Sequence, residues 1–190
     1  MTWSSATEGT FCVVASLVGA SGTGANDYYI APPAEPAGLA VFIDTTGKVT
    51  GGGWVAIGDG RGNFGFNATS NAGRVKGNLV FIERTVYKGT KAMLIIKSNA
   101  IDSLRTSGSI FPITATLSGK ASFRYISAID GSTLFESGNA TFTATVVDTD
   151  IKTQPTGDSF AIRALDKTGA VLVDLGTTAL GSGNIVAHLK

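Results

Sequence analysis

The chain has 190 residues, 15% of them charged, with 25 glycines and a formal net charge of +1. That length suits one domain with room for an added arm and is ample for a buried core. The near-zero net charge gives no overall pull towards nucleic acid, anionic lipid or acidic polymer. One cysteine, Cys12, excludes an internal disulfide, and with the one histidine, His188, it excludes a zinc cage of such ligands.

In chain order, the first signal is the continuously apolar run 11–18. It predicts a strand buried on both faces, with Cys12 as a structural thiol. It is not a signal-peptide core, because residues 1–10 carry Glu8 and no positive charge. Met1 is therefore read as the start of a mature chain whose export signal is absent. No apolar run approaches membrane-spanning length, so membrane insertion is not expected. Asp27-Tyr28-Tyr29-Ile30 reads as a short strand. Pro32, Pro33 and Pro36 then favour an extended segment that cannot donate to a ladder. This divides the chain into an arm and linker, 1–38, and an all-β domain, 39–190. If the linker lets the arm reach a neighbour, Phe11, Val13, Val14, Leu17 and Val18 complete the neighbour's sheet by strand exchange. The simpler reading pairs them within their own domain.

Beyond the prolines, residues 39–44 and 48–58 flank a turn at Thr45-Thr46-Gly47 and read as a hairpin. Further strands follow at 63–69, 74–86, 92–99, 110–117, 121–129, 140–147, 160–165, 171–175 and 184–189. Glycine-bearing turn signals separate them, among them Ser118-Gly119-Lys120, Ser137-Gly138-Asn139 and Gly181-Ser182-Gly183. A short helix is an option over 100–106, where Ile101 and Leu104 are three apart. Ala140, Phe142, Ala144 and Val146 alternate with Thr141, Thr143 and Thr145, and Ile113, Ala115 and Leu117 alternate with Thr114 and Thr116. One buried and one wet face predicts antiparallel sheets. The expected fold is an all-β antiparallel sandwich or flattened barrel with tight glycine-rich turns.

Few residues carry recognisable chemistry. Gly60-Arg61-Gly62-Asn63-Phe64-Gly65 matches the G-x-G-x-x-G of dinucleotide sites, but strand alternation follows it where a helix is required. Arg74, Lys76, Arg84, Lys88, Lys91 and Lys97 surround Phe81 and Tyr87. Basic residues among aromatics can bind single strands, although the plainer reading covers the outside of hairpins, and no nucleic-acid partner is expected. His188 near the C-terminus, with no G-x-S-x-G elbow, argues against a hydrolytic triad. Asp148 and Asp150, with Asp158 across a short loop, supply oxygen ligands for calcium, the one cofactor considered. Their spacing is not that of an EF-hand, and a solvated polar loop is the simpler reading. Asp44, Asp59, Glu83, Asp130 and Glu136 qualify as glycosidase acids only by residue type, and most sit at turns that aspartate caps locally. Asn67-Ala68-Thr69 and Asn139-Ala140-Thr141 are sequons. The threonine faces, and aromatics such as Tyr87 and Tyr125, are the features that would suit carbohydrate.

Val49-Thr50-Gly51-Gly52-Gly53-Trp54, followed by Gly62-Asn63-Phe64-Gly65-Phe66-Asn67-Ala68, resembles the opening of the bacterial surface domain called post-COAP. The similarity continues in Gly77-Asn78-Leu79-Val80-Phe81-Ile82, in Ser118-Gly119-Lys120-Ala121 and in Asp158-Ser159-Phe160-Ala161-Ile162-Arg163. It closes with Leu180-Gly181-Ser182-Gly183-Asn184-Ile185-Val186-Ala187-His188. The resemblance spans about 39–190 and rests on turn and packing residues. It implies an exported, often wall-attached protein, although no anchor signal is present and residues 1–38 replace a larger upstream region. The expectation is a non-catalytic extracellular adhesion or surface-assembly module whose partners are itself or other surface proteins. The alternative is a carbohydrate-binding module with a polysaccharide partner.

Overall fold

The computed structural model describes residues 9–13, 38–42, 47–71, 74–108, 110–151, 153 and 156–189. The chain divides into two compact units, Met1–Asp44 and Thr45–Lys190. In the first unit β1 (Gly9–Val13) and β2 (Gly38–Phe42) form an antiparallel pair, with Phe11 opposite Ala40 and Val13 opposite Gly38. Residues 39–42 therefore pair with β1 and not, as expected, in a hairpin with the strand that follows. Val14, Leu17, Val18, the strand expected at 27–30 and the prolines lie outside the described residues.

The second unit contains β3 (Gly47–Ile57), β4 (Gly60–Asn71), β5 (Arg74–Tyr87), β6 (Thr90–Ser107), β7 (Ile113–Ser127), β8 (Thr133–Asp148), β9 (Ser159–Leu165) and β10 (Val171–Leu189). Each pairs antiparallel with the next, and β10 returns to β3, giving a closed eight-stranded barrel in place of a sandwich. No helix occurs among the described residues. The G-x-G-x-x-G run lies within β4. The short hairpins follow from residues that tolerate positive φ, as at Lys88 (48°) and Gly89 (82°) between β5 and β6. Every strand of the barrel has a partner on both sides along part of its length, although the short β9 pairs β10 only over 171–179 and β8 only over 141–147.

Alternate side chains fill the interior. Phe64, Phe66 and Ala68 point inward from β4, Leu79 and Phe81 from β5, and Leu94 and Ile96 from β6. An eight-stranded barrel is just wide enough for side chains to fill. At its centre Phe160 stacks on Phe64, with ring centroids 4.0 Å apart, and lies 6.2 Å from Phe81. Each fully buried phenylalanine contributes about 1.5–3 kcal/mol of transfer free energy.

Three expected breaks are bulges inside long strands. Residues 100–106 belong to β6, not to a helix. The spacing of Ile101 and Leu104 arises because register shifts between Ser98 and Ala100, and between Ile101 and Ser103, reset the alternation so that both side chains face inward. Gly119 lies within β7 against the first of these bulges, where a Cβ would come within 2.1 Å of the Ala100 carbonyl oxygen. Gly138 and Asn139 lie inside β8, beside a register shift between Ala121 and Phe123. Gly181 is the extra residue of a bulge within the continuous strand β10, where Ser182 and Gly183 pair with Trp54 and Gly53.

Gly181 also receives the indole of Trp54. A Cβ there would lie 2.1 Å from a ring carbon, and the Arg61 guanidinium sits 4.1 Å from the ring centroid. Gly181→Ala is expected to destabilise the barrel by about 1–3 kcal/mol in urea denaturation. Adding Trp54→Ala should recover part of that loss, a non-additivity expected for residues in contact.

Candidate interaction face

The outward positions of β5, β6 and β7 build one continuous patch. Register sets Val80 beside Lys97 and Ser122, Ile82 beside Ile95 and Arg124, and Arg84 beside Met93 and Ile126. At the end of this face Val86, which is 64% exposed, lies opposite Lys91. The centre is apolar and half-buried, while Arg84, Lys91, Lys97 and Arg124 around it are exposed. Glu136, opposite Arg124, is the acid that adjoins the patch in this register. A shallow depression of about 200 Å³ opens here, lined by Ile95, Lys97, Ser122, Phe123, Arg124 and Glu136. The arrangement suits an occupant with apolar side chains and excess negative charge.

The basic cluster in the sequence marks this face, but not as a stacking platform for bases. Phe81 is fully buried in the core, and Tyr87 turns inward at the end of the barrel. There Tyr87 and Tyr125 stack with centroids 4.3 Å apart, Phe135 lies 6.0 Å from Tyr87, and Phe123 meets Tyr125 edge-on. The tyrosine rings face each other and do not form a flat exposed surface. Thr116 and Thr145 sit opposite one another across β7 and β8 on the outside of the barrel, their hydroxyls 3.4 Å apart. A second surface depression, of about 300 Å³, is lined by Thr141, Thr143, Arg163 and Leu165 with Phe142.

Asp148 and Asp158 are buried and bond to backbone. The Ile185 N–H donates to Asp158 Oδ2 at 2.8 Å, and the Ala187 N–H donates to Asp148 Oδ2 at 2.7 Å. Asp158 Oδ1 accepts from the N–H and hydroxyl of Thr149, both at 3.0 Å, while Asp148 Oδ1 accepts from the Asp150 N–H at 2.8 Å. The Thr149 hydroxyl is also close to the Thr156 carbonyl oxygen. Past the end of β9, β10 has β3 on one side, and these carboxylates stand in for the missing neighbour on the other. All four carboxylate oxygens are thus engaged by donors. Asp150 is exposed, at φ 58°, and joins the cluster through its N–H. Among the described residues, no group of three or more His, Cys, Asp or Glu is placed to hold a metal ion.

The other acids are scattered. Asp130 caps its own turn, where Ser127 and Ser132 hold its carboxyl down at about 2. Asp59 is exposed in the β3–β4 turn, Glu136 lies on the outer patch, and Glu83 is buried inside the barrel. Asp44 lies outside the described residues. Of the sequon residues, Asn67 is exposed and accepts the Asn78 N–H, and Asn139 is exposed at the β8 bulge. His188 is exposed on β10. Sequence reasoning missed the outward apolar residues Val80, Ile82, Ile95 and Ile126. The available signal was the unbroken apolar runs Leu79–Ile82 and Met93–Ile96, which place apolar residues on both faces of a strand.

Comparison with family models, curated proteins and solved structures gave no match.

Proposed function

We propose that this chain is a non-catalytic extracellular assembly module that associates with a second copy of itself. The N-terminal region of one copy supplies the occupant for the β5–β6–β7 face of another. One observation carries the reading, the match in charge and apolarity. Residues 1–44 hold Glu8, Asp27, Glu35 and Asp44 with no lysine or arginine, a net charge of −4. All 15 basic residues and the remaining 10 acids lie in 45–190, a net charge of +5. The same N-terminal residues include the apolar run 11–18. Charge of opposite sign steers encounter, and apolar contact supplies the holding energy. The turn motifs that resemble post-COAP domains support placement on a bacterial surface. In strand exchange, Phe11 and Val13 of one copy would pair with β2 of another, the strand that β1 pairs with in its own unit. Carbohydrate binding has less support, since Tyr87 and Tyr125 are stacked on each other.

Sedimentation of the full chain tests the reading. The expected result is concentration-dependent association that weakens as salt rises from about 0.05 M to about 0.5 M. The double variant Lys97→Glu/Arg124→Glu, on the exposed surface, should keep its thermal midpoint and lose about tenfold or more in association constant. A chain that stays monomeric, or association indifferent to both salt and the double variant, overturns it.

A further inference from the structure

The barrel end formed by the β3–β4, β5–β6, β7–β8 and β9–β10 turns contains a buried charge that nothing described so far explains. Glu83 is 8% exposed and points inward. Register places it in one inward row with Gly62, Leu94, Tyr125 and Phe135. Among the described residues its carboxyl has no hydrogen bond and no ion pair. Burial pushes its pKa up, and burial with the nearby Glu83, Tyr87 and Asp166 pushes the Tyr125 hydroxyl up. The next row outward, Thr85, Ala92 and Ser127, carries small side chains. A largely buried carboxylate with no protein donor is left to water or to a bound cation.

We propose that this end of the barrel binds an organic ammonium group, with Glu83 as its counter-ion and the Tyr87–Tyr125 stack as the π surface beside it. An ionised carboxylate only accepts hydrogen bonds. Around Glu83 its row offers mainly carbon and aromatic surface, with the Tyr125 hydroxyl its one other polar group. An ammonium supplies donors and the opposite charge together, and it is favoured by the negative faces of tyrosine rings. The Lys88 ammonium already lies 5.4 Å from the Tyr87 ring centroid, so an incoming ammonium would take the place of a cation that the ring already holds. Because the folded pKa of Glu83 is raised, its contribution to stability is full below the ordinary carboxylate value and is lost as pH rises through the raised one. A bound cation restores that loss on the alkaline side, so binding should tighten as pH rises.

The test is an NMR titration of the full chain with n-butylammonium chloride, alongside n-butanol and methyl glucoside. At about pH 8 the ammonium should bind with millimolar affinity, shift the Tyr87 and Tyr125 ring signals and weaken at about pH 4. Glu83→Gln should reduce affinity about tenfold or more. Tyr87→Leu should reduce it about threefold or more, which keeps the test valid if the first variant folds poorly. Unchanged ring signals at about 100 mM ammonium, equal binding by Glu83→Gln, or comparable binding of butanol or the glucoside would each overturn the proposal.

Discussion

Asp158→Ala is expected to cost about 3–5 kcal/mol, because it removes a charged acceptor from three donors at once. One of these, the Ile185 N–H, lies in the core-facing part of β10, where no strand replaces the lost oxygen. The Thr149 N–H and hydroxyl lose their acceptor as well, which frees the β8–β9 connection. Asp158→Asn retains one carbonyl oxygen and should lose less, about 1–3 kcal/mol. Urea denaturation gives the magnitudes, and amide exchange locates them. In Asp158→Ala, protection should fall first at Ile185 and Ala187, before the β6–β7 ladder. A loss below about 1 kcal/mol would mean that water replaces the carboxylate and the seam is held elsewhere.

Phe160→Ala should be comparably damaging, at about 3–5 kcal/mol, for a different reason. Phe160 is fully buried, and its ring packs on Phe64 and faces Phe81 from the far side of the barrel. The closed wall cannot collapse inward around the missing ring without breaking ladder hydrogen bonds, so much of the vacated volume persists as a cavity. Phe160→Leu should recover about half of the loss by refilling that volume. Denaturation midpoints at constant urea dependence would establish the effect. A Phe160→Ala barrel as stable as the parent would show that Phe64 and Phe81 close over the gap.

The all-β class was legible because alternation survives in most segments, as in 113–117 and 140–146. What failed was the reading of glycine. Gly119, Gly138 and Gly181 read as turns in the sequence, whereas each lies inside a long strand, at or beside a bulge that bends the barrel wall. A single sequence does not distinguish a glycine that reverses the chain from one that admits a neighbouring backbone. The same bulges give Ile101 and Leu104 their helix-like spacing. Leu79-Val80-Phe81-Ile82 is continuously apolar, yet half of it forms the outer face. Closure was illegible because it depends on β10 meeting β3 from the opposite end of the sequence. The role of Asp158 was hidden for the same reason, since its partner Ile185 is 27 residues away.

Gly47 and Leu189 are direct register partners across β3 and β10. Both ends of the barrel chain therefore leave through the same rim. A pull that separates them peels the closing ladder one rung at a time, whereas a shearing load would spread over many rungs together. Tension between these two points would thus open the wall at modest force, and a tether that must resist drag would gain by loading the barrel broadside.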